Sequence, residues 1–480
     1  MATAEPAVTV PARRRPALDW NALVLLVFGL IVPFFLGSSA TIFEDGDVSW
    51  HVAAGRWMIE HLQVPLTDPF SFSAYGQRWI AHEWLGEVFM GAAYNLAGFT
   101  GLALLVVLAI SALVLILWLE FSRRLRPAET AAMLAAVIVV LIPFLLARPM
   151  VLTWPFLAFW MVALVRARER RQAPPLWLAL VMLVWVNMHA SFSLGMLLIG
   201  PFALEALIEE PDKKRVVIGW GSFGIACLVA ALLNPNTVAT LLIPFGAFSS
   251  NITIINEFKP TDMSFTPWFE YSLLFLIGAC LWRGVRVPPI RLLVILGLLH
   301  LAFQHMRHQA LFIIVAVVLI AIPLGRTLGK KAARPPDAGR QRRLAAMGAG
   351  AFVLLAAIRL ATPLPAPNSQ RNPTAAIAAV PADLRSQRVL NSYSFGGALL
   401  LYGIPDYIDG RTDLYGEPFV LDFQAMLEGD AARLAAAEQR WNFRWALIST
   451  RDRNLLRLIK SDPTWKQIRA DRYAVTFVRR

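Results

Sequence analysis

Long apolar runs, separated by short polar connections, repeat along most of the chain. A helix that crosses a bilayer needs about 20 mainly apolar residues. Segments near this length predict a polytopic α-helical membrane protein with about eleven spans, at 20–40, 99–120, 128–147, 150–166, 176–192, 194–209, 216–233, 267–283, 289–304, 309–325 and 343–362. After Thr362 the pattern changes, and a soluble α/β domain is predicted over 363–480.

Strand and helix patterns alternate in this C-terminal part, which favours a small mixed or parallel sheet. The predicted strands are Arg388–Asn391, Asp406–Asp409, Arg444–Ser449, Trp465–Ala470 and Tyr473–Val478. The predicted helices are Thr374–Leu384, Gly397–Tyr402, Val420–Glu428, Ala431–Gln439 and Arg453–Ser461.

Clusters of Lys and Arg predict how the chain is oriented. Arg13–Arg15 precede the first span, and Arg166–Arg171 and Lys213–Arg215 follow the fourth and the sixth. Basic connections remain in the cytoplasm. We therefore expect the tail at 1–19 to be cytoplasmic and 363–480 to be periplasmic or extracellular.

The requirement that all basic clusters lie on the cytoplasmic side decides how two ambiguous segments are interpreted. If 83–97 crossed the membrane, every later basic cluster would change sides, so we expect an amphipathic helix on the outer surface. Glu83 and Glu87, four residues apart, would share its polar face. The run 22–36 resembles a signal peptide, but an uncleaved first span is favoured because the later topology requires it.

Composition supports the membrane assignment. The chain has 480 residues, of which 57% are hydrophobic and 16% charged, whereas soluble proteins carry about 25% charged residues. The net charge of +13 is explained by basic residues that flank spans, and no nucleic-acid partner is expected. Cys227 and Cys280 lie in apolar runs and indicate packing residues, without a disulfide framework.

The large first outer loop, 41–98, carries the densest candidate chemistry. Glu44, Asp45 and Asp47 end the first span, and a short helix is predicted over Val48–Ile59. Ionisable groups beside membrane spans are costly and tend to mark functional sites. An alternative role for Asp47 is the N-cap of that short helix.

The order of residues in this loop resembles the membrane glycosyltransferases of the GT-C class, in particular the protein-mannosyltransferase and aminoarabinose-transferase branches. The resemblance covers about 60 residues by motif and 1–362 by topology. The positions that carry it are Asp47, His51, Ala54, Met58, Pro65, Gly76 and His82.

Several positions depart from the family pattern. The acid pair is split, as Asp45-Gly46-Asp47, and His51 replaces a tyrosine. His82 stands in place of a lysine, and Glu83-Trp84 replace two prolines. No second acidic pair follows the third span, where Arg148-Pro149 is found instead.

The resemblance implies transfer of a sugar from a polyprenyl-phosphate-linked donor. Such a reaction needs a base for the acceptor hydroxyl and cations near the departing phosphate. It implies Asp47 as the base, with Asp45 and His51 as further catalytic candidates. A divalent cation, magnesium or manganese, would be held by Asp47 and Glu44.

Other outer-side residues are candidates for binding substrate. His82, Glu83 and Arg148 lie near the loop, and Lys259 and Arg307 are candidates for the donor phosphate. In the C-terminal part, Asp409, Arg411 and Asp413 are candidates for gripping a sugar. The alternative there is that the acids shape tight turns and Arg411 pairs with a carboxylate.

The expected partners are membrane lipid, the lipid-linked sugar donor and an acceptor that the sequence does not identify. The expected location is a bacterial inner membrane. Two other functions stay open at this point: a transporter or flippase of lipid-linked or small polar molecules, and a noncatalytic assembly protein with a partner-binding outer domain.

Overall fold

The computed structural model describes residues 19–243, 259–329 and 338–480. Nearly all of the predicted cytoplasmic tail, including Arg13–Arg15, lies outside the described residues, and so do several basic residues of the connection after the tenth predicted span.

The chain is a polytopic helical membrane protein. Seven described helices are long and apolar enough to cross a bilayer: α1 (Trp20–Gly37), α3 (Trp84–Phe121), α4 (Pro127–Phe144), α5 (Pro149–Glu169), α7 (Phe192–Glu209), α8 (Lys213–Leu232) and α12 (His308–Thr327). Shorter apolar helices are α6 (Leu176–Val186), α10 (Pro267–Trp282), α11 (Pro289–Gln304) and the end of α13 (Ala338–Ala361). Each helix overlaps a predicted span, but the number eleven stays a prediction because four of the apolar helices are short.

The first loop forms a helix of its own, α2 (Gly46–His61), which packs on the start of α3. Helix α3 breaks at Ala97 and Gly98, where Gly98 has φ 57°. A Cβ at Gly101 would lie 1.9 Å from the Ala93 carbonyl oxygen, so the two halves of α3 turn sharply against each other. The segment predicted over 83–97 is therefore a separate helical arm. Its position on the membrane surface stays a prediction.

The C-terminal part contains a four-stranded sheet in the order β1-β2-β4-β3. Its strands are β1 (Val389–Asn391), β2 (Trp445–Ser449), β3 (Trp465–Ala470) and β4 (Ala474–Arg479). The first pair is parallel and the other two are antiparallel. The helices of this part are α14 (Thr374–Ala378), α15 (Ala382–Arg385), α16 (Gly396–Leu401), α17 (Thr412–Tyr415), α18 (Glu417–Glu428), α19 (Ala431–Trp441) and α20 (Arg453–Ser461). The remaining helix, α9 (Val238–Leu242), is short and precedes α10 in the membrane part.

The predicted strand at Asp406–Asp409 was wrong. Its backbone bonds to a side chain and to the first loop: the Tyr407 amide donates to Asn391 Oδ1 at 2.8 Å, and the Asp406 carbonyl accepts from the Phe72 amide at 3.2 Å. These bonds take up backbone groups that a ladder with a neighbouring strand would use.

The C-terminal part and the first loop share one hydrophobic core. Trp50 and Trp79 of the loop pack in the same cluster as Tyr407, Ile408 and Phe423. A domain boundary at 363 stays a prediction, but the core itself crosses it. As a result, the loop is held between the membrane helices and the sheet.

Candidate active site

Asp45 is the residue directly before helix α2, and its carboxylate accepts a hydrogen bond from the Asp47 amide at 2.9 Å. This bond satisfies one of the amides that a helix start leaves unpaired. The N-cap is therefore Asp45, and the alternative that gave this role to Asp47 was wrong. The Asp47 carboxylate is left to face the membrane helices.

Arg148 binds both acids of the loop. Its Nη2 lies 2.5 Å from Asp45 Oδ2 and 2.6 Å from Asp47 Oδ2. The Ala147 amide donates to the Ile42 carbonyl at 2.8 Å, which brings the residue before α5 against the end of the first span. Arg148, which is found where the family pattern has a second acidic pair, is thus the ion-pair partner of Asp45 and Asp47.

The C-terminal part closes one side of this ion cluster. A Cβ at Gly410 would lie 1.9 Å from Asp47 Oδ1 and 2.8 Å from Trp50 Nε1. Only a residue without a side chain fits there, because both groups are already in contact with the backbone. The segment before α17 therefore forms a wall of the Asp47 site.

A second cluster of histidines and glutamates lies beside the first. His51 Nδ1 is 3.1 Å from Glu87 Oε1, and His51 Nε2 is 3.6 Å from Glu83 Oε2. Glu83 Oε1 is approached by His189 Nε2 at 3.3 Å and by His82 Nε2 at 3.6 Å. Three predicted residues, His51, His82 and Glu83, are therefore brought together.

Glu87 and His189 complete this cluster, and Glu87 was not predicted as a site residue. The polar face predicted for Glu87 is buried, since the residue is 1% exposed. The spacing of Glu83 and Glu87 by one helical turn is the sequence signal that could have identified it. His189 follows α6 at the same end of the bundle, and nothing local in the sequence connects it to the first loop.

Burial dominates the electrostatics of the second cluster. It lowers the pKa of His51 well below its usual value, with further lowering by Arg148 and the neighbouring histidines. It lowers the pKa of His189 to about 3, helped by His82 and Arg307. It also raises the pKa of the Glu83 carboxyl. Both imidazoles are therefore neutral at physiological pH.

The charges of Asp413 and Arg307 both act on the Glu83 carboxyl, and they shift its pKa in opposite directions. Asp413 is exposed, yet the protein around it raises the pKa of its carboxyl, a shift that the charge of His82 opposes. The charge of Arg307 lowers the pKa of Glu83. The Met306 amide donates to the Lys259 carbonyl at 3.1 Å, which places exposed Lys259 beside the segment that carries Arg307. Charges of both signs therefore lie near Glu83.

Asp409 and Arg411 are buried in the shared core. Arg411 Nη1 lies 2.6 Å from Asp68 Oδ1, and its Nη2 lies 2.6 Å from Asp409 Oδ2. The guanidinium also packs against Phe70 and Trp79. Neither side chain reaches a surface, so the structure favours the alternative of a turn stabilised by an ion pair over the predicted contact with substrate.

The role of Asp47 and Glu44 as metal ligands stays a prediction. Asp47 is bound to Arg148, and Glu44 is exposed. Within the described ranges, one group of three metal-ligating residues has its ligand atoms within 4.8 Å of one another, and it consists of His51, Glu83 and Glu87. These residues fit a cation better because their charges have no guanidinium partner as close as that of Asp47.

No family model and no curated protein matches the chain. Solved structures do. The oligosaccharyltransferase AglB of Archaeoglobus fulgidus, in complex with an inhibitory peptide and a dolichol-phosphate, superposes with a TM-score of 0.59 at 10% identity over 90% of this chain and 69% of that one. ArnT of Cupriavidus metallidurans, bound to undecaprenyl phosphate, superposes with a TM-score of 0.53 at 14% identity over 96% and 98%.

The chain has a GT-C-like fold. This confirms the resemblance drawn from the first loop. At such low identity the likeness concerns the fold alone, and it does not assign a role to any residue. What the GT-C-like fold explains is the position of the site, where a loop after the first span, the ends of later spans and the C-terminal part meet.

Proposed function

We propose that the protein is a glycosyltransferase that moves a sugar from a polyprenyl-phosphate-linked donor to an acceptor at the outer face of a bacterial inner membrane. The observation that carries the proposal is the Asp45–Arg148–Asp47 cluster at the end of the first span. The presence of dolichol-phosphate and undecaprenyl phosphate in structures of similar fold supports it.

In this proposal Asp47 is the base. Its carboxylate takes the proton of the acceptor hydroxyl as the new bond to the sugar forms and the bond to the donor phosphate breaks. Asp45 caps the helix that carries Asp47 and shares its partner, so it positions the base. The departing phosphate keeps the electron pair of the broken bond, and a preorganised cation stabilises it.

Arg148 is the proposed cation nearest to the base. Its side chain is 17% exposed, so it is held by the two acids but not fully enclosed. Arg307 and Lys259 lie near each other and are proposed to bind the same phosphate. The carboxylates of Glu83 and Asp413, with nearby His82, are proposed to bind the hydroxyl groups of a sugar or an acceptor.

The sidedness is also part of the proposal. With the N-terminus in the cytoplasm, the Asp47 site and the sheet lie outside the cytoplasm, where a lipid-linked donor is used after translocation. A flippase would need ionisable groups near the middle of the bilayer, whereas the groups described above gather at one end of the helices.

Asp47→Asn tests the function directly. In cells that carry this variant as their only copy, mass spectrometry of lipid-linked sugars and cell-envelope glycans should show the donor accumulating and one glycan product missing. The matched control is Asp383→Asn, the same change at an exposed position of α15, which should leave both pools unchanged. Unchanged glycans in the Asp47→Asn cells would reject Asp47 as the base, and unchanged glycans in cells lacking the gene would favour a noncatalytic assembly role.

A further inference from the structure

The cluster around His51 has more buried acid than the residues around it satisfy. Glu87 Oε1 contacts His51 Nδ1 at 3.1 Å, but Glu87 Oε2 is buried and has no hydrogen-bond partner among the described residues. A buried carboxylate oxygen without a partner is costly. Asp45 and Asp47 differ in this respect, because Arg148 supplies their counter-charge.

The hydrogen bonds of the neighbouring histidines fix where their ring protons lie. The Ser191 amide donates to His189 Nδ1 at 3.0 Å, so neutral His189 carries its proton on Nε2 and donates it to Glu83 Oε1. His189 therefore orients Glu83, as the outer partners of a metal ligand do.

His82 directs its other ring nitrogen toward the same glutamate. Its Nδ1 lies 3.2 Å from the Ile80 carbonyl oxygen, which only accepts, so Nδ1 carries a proton. Its Nε2 lies 3.6 Å from Glu83 Oε1, beyond hydrogen-bond distance. A histidine that donates Nδ1–H to a backbone carbonyl is the arrangement that metal-binding histidines commonly use.

We propose that His51, Glu83 and Glu87 form a binding site for one divalent transition-metal ion, with His82 Nε2 as an adjacent ligand. The three residues offer ligand atoms within 4.8 Å of one another. Around a tetrahedral zinc ion with bonds of about 2.0–2.2 Å, ligand atoms lie roughly 3.3 Å apart, so small side-chain movements close the site. An imidazole ligand favours zinc, copper, iron or nickel over magnesium.

The site lies between two helices whose backbones are in direct contact. A Cβ at Gly55 would lie 1.8 Å from the Glu87 carbonyl oxygen, and a Cβ at Gly91 would lie 2.6 Å from the Gly55 carbonyl carbon. The glycines thus hold α2 against α3 beside the three ligands. An ion bound there would tie the first loop to the arm of α3, and it would act without occupying the Asp47 position.

The test is metal binding by the full-length protein in detergent after dialysis against a chelator. We expect calorimetric titration with Zn²⁺ to show one ion per chain, and substitution with Co²⁺ to give the visible absorption of a low-coordinate site. Glu87→Gln and His51→Gln should each weaken Zn²⁺ binding by at least about 10-fold. Zn²⁺ should raise the unfolding temperature of the wild type but of neither variant.

Two controls make the result specific to this cluster. His61→Gln changes an exposed histidine of the same helix, whose Nδ1 bonds to the Trp57 carbonyl, and should bind Zn²⁺ like the wild type. Asp47→Asn should also keep full Zn²⁺ binding, whether or not it transfers sugar. If either ligand variant is unfolded in chelator, Glu83→Gln replaces it. No saturable Zn²⁺ binding, or binding lost in Asp47→Asn and kept in Glu87→Gln, would overturn the proposal.

Discussion

The two ends of α5 carry buried clusters of charged residues that differ in how completely their acids are paired with arginines. At its C-terminal end, Arg166 contacts Glu120 at 2.7 Å, and Arg168 lies 3.6 Å from Glu205. At its N-terminal end, Arg148 holds the two aspartates of the first loop, beside a second group in which glutamates face histidines. Both ends place acids out of water, but only one end supplies a guanidinium for each of them.

The difference separates structural charges from charges that await a ligand. Glu120 is 1% exposed and both its oxygens accept from arginines, Arg124 at 2.6 Å and Arg166 at 2.7 Å. Glu205 likewise has both oxygens on Arg291. Glu87 is equally buried but has one oxygen without a partner among the described residues. A buried acid with both oxygens paired is expected in a folded protein, whereas a buried acid oxygen without a partner calls for an explanation, such as a bound ion.

The largest effect is expected from breaking the satisfied end. Glu120→Gln removes the negative charge that Arg124 and Arg166 share. Loss of one partner of a buried ion pair costs about 3–5 kcal/mol. Thermal unfolding in detergent should show a large drop in the unfolding temperature. Glu169→Gln is the control, because Arg124 keeps Glu120 when this half-exposed partner is lost. Equal drops for the two variants would contradict a special role of Glu120.

At the other end of the helix, Arg148→Lys should impair function more than folding. A lysine keeps the charge but offers no planar fork that can reach two acids and a phosphate together. We expect sugar transfer to fall about 10²–10³-fold, the cost of losing one preorganised donor. Glycan analysis of cells with this variant measures the loss. The control is Arg371→Lys, the same change at an exposed arginine that donates a hydrogen bond to the Glu44 carbonyl. Wild-type transfer by Arg148→Lys would remove Arg148 from the reaction.

The sequence predicted the helices well, since length and apolarity nearly suffice where backbone groups must bond within a helix. It also named Asp45, Asp47 and Arg148 as candidate site residues, a role that stays a prediction, and the structure brings the three into contact. It could not predict that these residues are in contact, because the contact joins the N-terminal ends of two helices, α2 and α5, that are far apart in the sequence. The same holds for Arg411, whose partner Asp68 is 343 residues away, and for the irregular segment at Asp406, which bonds to the first loop.

A smaller effect, with a defined pH dependence, is expected at Asp406. Burial raises the pKa of this carboxyl well above its usual value, and the charges of Asp409 and Asp68 raise it further. The native state therefore binds the proton more tightly than the unfolded state, whose carboxyl has a pKa of about 3.9. The stability from the neutral form is full below that pH and is lost as the pH rises through the raised pKa.

Asp406→Asn keeps the shape and removes the titrating group. Its unfolding temperature should equal or exceed that of the wild type at neutral pH, and the wild-type decrease above pH 4 should become shallower. Asp409→Asn is the contrasting variant, because it takes a carboxylate from buried Arg411 and should destabilise the protein. A wild type and an Asp406→Asn variant with parallel pH curves would show that Asp406 is ionised in the native state.

The smallest effect sharpens the comparison most. In the metal-free protein, Glu87→Gln should change the free energy of unfolding by less than about 1 kcal/mol, or raise it, because a neutral amide costs less to bury than a carboxylate with an oxygen that has no partner. The same chemical change at Glu120 costs several times more, although both side chains are 1% exposed. Chemical denaturation of the two variants in chelator measures the difference. Burial alone would predict equal losses, so a large loss in Glu87→Gln would mean that the His51 cluster is as structural as the arginine-bound end of α5.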